Sequence, residues 1–184
     1  MLLCGKDLFA DTVGWRRALQ AAVRSRSART LPSNPPARSV LILLPDDEEG
    51  LLATWPFVDA LRVPMKNLTC VVVSERVAYA PDKFAGSVQR ITPADLDWRG
   101  LPRAEVFAPL HGTADVAINL ADPNELVATF LVGTSSAAIR IGQHGPGTEP
   151  FYDLMLAGTQ SASELVGALR RALAQIEPPI LPVS

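Results

Sequence analysis

Ser39-Val-Leu-Ile-Leu-Leu44 is an unbroken apolar run that ends abruptly at Pro45 and an acidic loop. A run of this length is too short for a helix. Apolar at successive positions rather than alternate ones, it reads as a strand covered on both faces, as in a parallel sheet. The pattern recurs along the chain: LTCVVVS (68–74), VQRIT (88–92), VAINL (116–120), AAIRIG (137–142) and FYDLML (151–156) all read as strands. Between them lie helical patterns over 51–61 (with Pro56 inside), 103–110 (with Pro109 near its end), 122–132 and 164–176.

Strands that alternate with helices must pair in parallel, because each crossover carries the chain back to the same edge. The expectation is an α/β fold: a three-layer Rossmann-like domain with a mostly parallel six-stranded sheet, order 3-2-1-4-5-6, flanked by helices. Local signals punctuate it. Asp122-Pro-Asn-Glu125 reads as a helix start capped by Asp122, Ser161-Ala-Ser-Glu164 as a capping box, and Gly133 as a C-cap glycine. His111 reads as a cation at a helix C-terminus.

Residues 1–30 stand apart. Lys6, Arg16, Arg17, Arg24, Arg26 and Arg29 against Asp7 and Asp11 give this stretch +4, so the remainder carries −6 of the total −2. Phe9, Val13, Leu19, Ala22 and Val23 form an apolar stripe beside these arginines, which predicts a basic amphipathic leading helix. Its stripe either packs back on the domain, docks on a partner or lies on an anionic membrane surface. A proline-rich linker follows over 31–38. The expected organisation is that leader, the linker, one Rossmann-like domain over 39–177 and a tail over 178–184.

With 48% hydrophobic and 20% charged residues, the chain is too apolar for disorder and has no global basic surface for nucleic acid. Cys4 and Cys70 lie far apart with no metal-ligand spacing, which predicts free thiols in a reducing compartment. The start MLLCGKDLF makes a poor signal peptide, and no apolar run reaches membrane-span length, so a cytoplasmic location is expected.

In a sheet of this order, ligands bind beyond the carboxyl ends of the strands, near the switch between strands 1 and 4. The loops there are Pro45-Asp-Asp-Glu-Glu-Gly50, Ser74-Glu75-Arg76, Asn119 to Asp122, and Gln143-His144-Gly-Pro-Gly147. The acidic loop occupies the place of a phosphate loop with the opposite charge, and no G-x-G-x-x-G or Walker sequence occurs. Asp46, Asp47, Asn119 and Asp122 could together hold a Mg²⁺-nucleotide or another small molecule; the alternative is a solvated loop that favours the next helix N-terminus. His144 is either a general base or a plain loop histidine. Arg140, in a supposedly interior strand, needs a structural partner or a ligand, and Gln143 lies beside it on the path to the loop. No G-x-S-x-G elbow exists, which argues against a hydrolase. Asp97-Trp98 in LDWRG reads as a docking turn, with Trp98 expected in core or rim packing rather than as a sugar platform. No cofactor or metal site is expected.

The segments VLILLPDDEEGLLATWPFVDAL and DVAINLADPNELVATFLVGTSSAAIRIG make Ser39–Gly142 resemble the N-terminal half of heptosyltransferase-type GT-B glycosyltransferases. The whole chain resembles still more closely a family of short uncharacterised bacterial proteins. The first resemblance implies an acceptor-side domain. It also implies a Gly-Asp pair, whose aspartate serves as base, where this chain has Glu49-Gly50; Glu49 or Asp47 would have to substitute. The donor-binding half has no counterpart in this chain. Three functions follow as expectations: a non-catalytic binding or scaffolding protein that meets an unknown protein partner or oligomerises; a glycosyltransferase-like subunit using Asp47 or Glu49 with Arg140 or His144; or a Mg²⁺-dependent small-molecule or nucleotide binder.

Overall fold

A computed structural model describes residues 39–74, 88–98, 100–111, 114–145, 147–158 and 161–174. The predicted leading helix, the linker, Glu75 and Arg76, the tail and the side chain of His111 lie outside the described residues.

The elements are β1 (Ser39–Leu44), α1 (Glu48–Arg62), β2 (Asn67–Val73), β3 (Val88–Ile91), α2 (Ala104–His111), β4 (Val116–Asn119), α3 (Leu126–Thr134), β5 (Ile139–Gln143), β6 (Leu154–Leu156) and α4 (Ala162–Ala174). The six strands form one sheet in the order β3-β2-β1-β4-β5-β6. Each of its five pairings is parallel. The expected fold class and strand order are therefore observed.

The central strand explains the architecture. Val40, Ile42 and Leu44 of β1 face α1 and α4, where Leu51, Phe57, Val58, Leu61, Leu165 and Leu169 close one core. Leu41 and Leu43 face the opposite way, into a second core built by Val127, Ala128, Leu131 and Val132 of α3 together with Phe151 and Tyr152. A strand covered on both faces has no side for a polar residue, which is why its sequence does not alternate. Cys70 of β2 sits in the first core as a free thiol. Burial pushes its pKa up to about 11, against the opposing pull of Arg62.

Four local readings are corrected. Helix α3 begins at Leu126, with the Glu125 carboxylate as its cap on the Val127 N–H. Asp122 instead closes a turn, accepting from the Asn124 N–H at 2.7 Å, while its carbonyl accepts from the Glu125 N–H. Pro123 restricts the residue before it, so the turn comes first and the helix after.

Gly133 is inside α3 rather than after it, and Ser135 is the C-cap. A Cβ on Gly133 would come within 2.0 Å of the Phe151 ring. The glycine serves close approach of two elements, not a left-handed turn. Strand β5 starts at Ile139 rather than at 137, and β6 at Leu154 rather than at 151. Phe151 and Tyr152, read as strand residues, instead leave the β5–β6 connection and plug the second core, fully buried. By contrast, Ser161 caps α4 as expected, its hydroxyl accepting from the Glu164 N–H at 3.2 Å.

Pro56 is tolerated in α1 because it faces solvent, where water can satisfy the carbonyl it leaves free. Among the described residues, no helix is long and apolar enough to cross a membrane.

Candidate functional site

The parallel register brings the ends of β1 and β4 side by side: Leu43 pairs with Asn119, and the Leu120 N–H donates to the Leu43 carbonyl at 2.8 Å. This is the switch point, where the chain leaves β1 towards one face and β4 towards the other. Sequence reasoning assigned the candidates Asp46, Asp47, Glu49, Asn119 and Asp122 to this region, with Gln143 and His144 on the neighbouring strand end.

Asp47 is the N-cap of α1, its carboxylate accepting from the Gly50 N–H at 2.7 Å. Asp46, Glu48 and Glu49 are exposed around it, with Glu48 and Glu49 in the first helical turn, where negative charge is favourable. Gly50 is buried against Pro45, and a Cβ there would lie 2.6 Å from the proline Cβ. The loop is wound so tightly that an aspartate at position 50 would require the backbone to move.

Asn119 is buried at 1% exposure. Its carbonyl oxygen accepts from the Ala121 N–H at 3.0 Å, and its amide donates to the Tyr152 hydroxyl at 2.7 Å. The Tyr152 hydroxyl donates in turn to Thr129 at 3.1 Å. Burial raises the Tyr152 pKa above its ordinary value, with the Thr129 and Asn119 hydrogen bonds opposing. Tyr152 can enter the core because Gly142 has no side chain; a Cβ there would meet the phenol ring at 2.3 Å. A buried amide must be hydrogen-bonded, and here the fold itself provides the partners.

Arg140 lies near the start of β5, away from the carboxyl edge, and is fully buried. Its guanidinium meets Asp153 through Nε at 3.0 Å and through Nη2 at 3.2 Å, a bidentate pair, and Nη1 donates to the Gly133 carbonyl. The Arg140 backbone N–H also donates to the Asp153 carboxylate. Arg140 thus joins the last turn of α3, strand β5 and the chain before β6. Of its two readings, the structural partner is the one observed.

The loop after β5 is closed by Thr148, whose hydroxyl accepts from the Gly145 N–H at 3.0 Å and donates to the Gly145 carbonyl at 2.8 Å. Gly145 sits against Pro123, its hypothetical Cβ 3.2 Å from the proline Cβ, so this loop and the Asp122 turn are neighbours. His144 and Gln143 thus join Asp122 at one part of the edge. His144 anchors its backbone N–H on the Leu156 carbonyl, and its Nε2 lies 3.9 Å from a Glu149 carboxylate oxygen, with both side chains half exposed. Among the described residues, no three His, Cys, Asp or Glu side chains converge where they could hold a metal ion.

The feature sequence reasoning underestimated follows β3. Leu96 and Pro102 form an antiparallel bridge that closes a small hairpin. Its tip is a tight turn: the Gly100 N–H donates to the Asp97 carbonyl, the Asp97 N–H to the Leu101 carbonyl, and the Leu101 N–H to the Asp97 carboxylate. Gly100 takes φ 73°, the left-handed conformation that this turn requires and that glycine adopts without strain. The hairpin base is held by Thr92 and Asp95, which cap each other reciprocally. Those hydrogen bonds from Thr92, helped by Arg103, keep the Asp95 carboxyl below the usual range. Leu96 packs on the second core, and the tip projects beyond it. Trp98, expected in core or rim packing, is 90% exposed. The Asp-x-x-Gly spacing of the tip was the available signal, since aspartate and glycine are favoured at the first and last positions of a common turn.

No curated protein and no solved structure matches the chain. Residues 15–169 match a family model, so the match starts within the basic leader and ends within α4. The chain belongs to the family of unknown function DUF6913.

Proposed function

We propose that this domain is a non-catalytic binding or scaffolding module that acts by presenting surface to another macromolecule. The observation that carries this reading is the use made of the switch point. Asn119 is held by Ala121 and Tyr152, and Asp47 by the Gly50 N–H. Arg140, the other candidate of strong binding chemistry, is paired with Asp153. A ligand that used Asp47 or Asn119 would have to compete with the bonds that hold the fold together. The partner is a protein, with the basic leader as a further contact to that partner or to an anionic membrane surface. The buried free thiol of Cys70 fits a reducing, cytoplasmic compartment.

A thermal-shift series on the full chain tests this reading, using nucleoside phosphates and sugar nucleotides with and without Mg²⁺. A ligand present at a hundred times its Kd adds about 2.7 kcal/mol, a shift of several degrees. The expected result is no shift with any of these compounds. A shift that disappears in Asp46→Ala or Asp122→Ala would replace the scaffold reading with a small-molecule one.

One observation favours the acceptor-side, glycosyltransferase-like reading. His144 and Glu149 form an exposed pair at the carboxyl end of β5, beside the Asp122 turn. In that reading Asp47 or Glu49 is the base, His144 holds the acceptor and a separately supplied domain brings the sugar donor. Sugar transfer that requires His144 would support it, and transfer undiminished in His144→Ala would remove it.

A further inference from the structure

Helix α1 is apolar on two opposite sides. Leu51, Phe57, Val58 and Leu61 point into the first core. Leu52, Pro56, Ala60 and Val63, spaced by four, four and three residues, fall on the side turned away from that core, and all four are exposed. Val63, the C-cap, keeps helical backbone angles, so the stripe is continuous to its end. Leu52 is 44% and Val63 94% exposed, and they are two of the four large apolar side chains exposed among the described residues. The stripe is roughly 16 Å long at the rise of a helix. A helix that is apolar all round is normally covered all round. Folding of the described domain covers one side of α1 and leaves the other in water.

The two ends of this outer stripe differ in charge. Asp46 and Glu49 are exposed at its start, and Glu49 shares the side of Leu52, three residues on. Lys66 is exposed just past its end. A surface that covers the stripe must therefore bring a cation to one end and an anion to the other. Helix α1 turned end for end is such a surface.

We propose that α1 packs antiparallel on α1 of a second copy of the chain, about a twofold axis that crosses the helix at Pro56. The inference rests on the reading of the domain as a binding module and names its partner. Residues equidistant from Pro56 then face one another: Leu52 meets Ala60 of the other copy, and Val63 meets the stem of Glu49. A large side chain opposite a small one lets the two helices approach, and every contact occurs twice in an isologous interface. Asp46 and Glu49 come beside Lys66 of the other copy at both ends. Pro56 suits the centre, because its ring is apolar and it has no N–H to bury. The carbonyl it frees keeps a bridging water, as polar atoms at interfaces commonly do. One helix pair buries less than the roughly 800 Å² per partner of a standard interface, so the dimer is a weak one.

Sedimentation equilibrium of the purified full chain, from about 1 μM to about 1 mM, tests the proposal. The wild type dimerises reversibly in this range. Leu52→Glu or Val63→Glu weakens the dimer by more than about tenfold, since the twofold axis brings each change in twice. Both positions are exposed, so the fold tolerates these changes. Glu49→Lys alone weakens the dimer, and adding Lys66→Glu in the same chain restores it. A wild type that stays monomeric throughout would overturn the proposal and leave the stripe to another occupant, the basic leader among them. A dimer unchanged by Leu52→Glu and Val63→Glu, or one that Lys66→Glu fails to restore, would overturn it as well. None of these results alters the thermal-shift outcome, so failure of the dimer and failure of the scaffold reading are separable.

Discussion

Asn119 ends strand β4, Trp98 lies in the hairpin that follows β3, and the two invert the usual partition of side chains. Asn119, a polar residue at the switch point, is 1% exposed, whereas Trp98, the largest apolar side chain, is 90% exposed. Buried polar groups and exposed large apolar ones are the informative exceptions to ordinary burial. The difference teaches how each residue is tied to the fold. At the switch point, Asp47 and Asn119 are bonded to the fold. At the hairpin, a rigid turn holds outward a residue that folding alone would hide. The two regions should therefore respond differently to mutation: changes at Asn119 should cost stability, whereas changes at the exposed Trp98 should cost little.

The largest expected effect is on the buried polar side. Asp153→Ala leaves the fully buried Arg140 charge without its carboxylate and should cost about 3–5 kcal/mol. Replacing both partners together, as Arg140→Met with Asp153→Ala, should cost clearly less, because no uncompensated charge remains. Equilibrium denaturation of both variants measures this. Equal losses would mean that the pair matters for packing rather than for charge.

Next comes the glycine that admits Phe151. Gly133→Ala gains roughly 1 kcal/mol of helix propensity, yet it drives a methyl group into the Phe151 ring. The net expectation is a loss of about 2 kcal/mol, because overpacking of this severity is at the upper end of its range. A stabilised Gly133→Ala would mean that α3 and Phe151 do not approach as closely as described.

A smaller effect appears at alkaline pH. The Cys70 thiol is raised from 9.0 to about 11, so the folded state favours its neutral form. That contribution is complete below pH 9 and is lost as pH rises towards 11, a total of about 2–3 kcal/mol. Tyr152, also raised from 10.0, adds to the loss at the upper end of this window. Cys70→Ala should therefore flatten the stability profile first between pH 9 and 10. An unchanged slope there would mean the thiol is not desolvated. The smallest effect is expected at the exposed edge: His144→Ala should change stability by no more than about 0.5 kcal/mol.

Much of the fold was legible because a parallel sheet writes itself as short apolar runs separated by helical periods. β1 was read to the residue, and the strand order followed from the alternation. What remained hidden depended on contacts distant in sequence. Gly133 precedes a strand, as a C-cap glycine would, but its role is set by Phe151, and the role of Gly142 is set by Tyr152. Arg140 finds Asp153 across β5 and β6, where no local spacing announces a pair. Asn119 at the switch point was recognised as polar and well positioned. Its partners Tyr152 and Thr129 come from other elements, so its commitment to the fold could not be read from VAINL. Trp98 was the reverse case. Its turn signal is local, but exposure depends on how Leu96 and Pro102 seat the hairpin on the second core.

Denaturation of Asn119→Ala tests the central claim most directly. The account predicts a loss of about 2 kcal/mol, because the Tyr152 hydroxyl and the Ala121 N–H would each lose a partner in a buried setting. Wild-type stability in that variant would contradict the account, since it would release Asn119 from the fold and return the switch point to the service of a ligand.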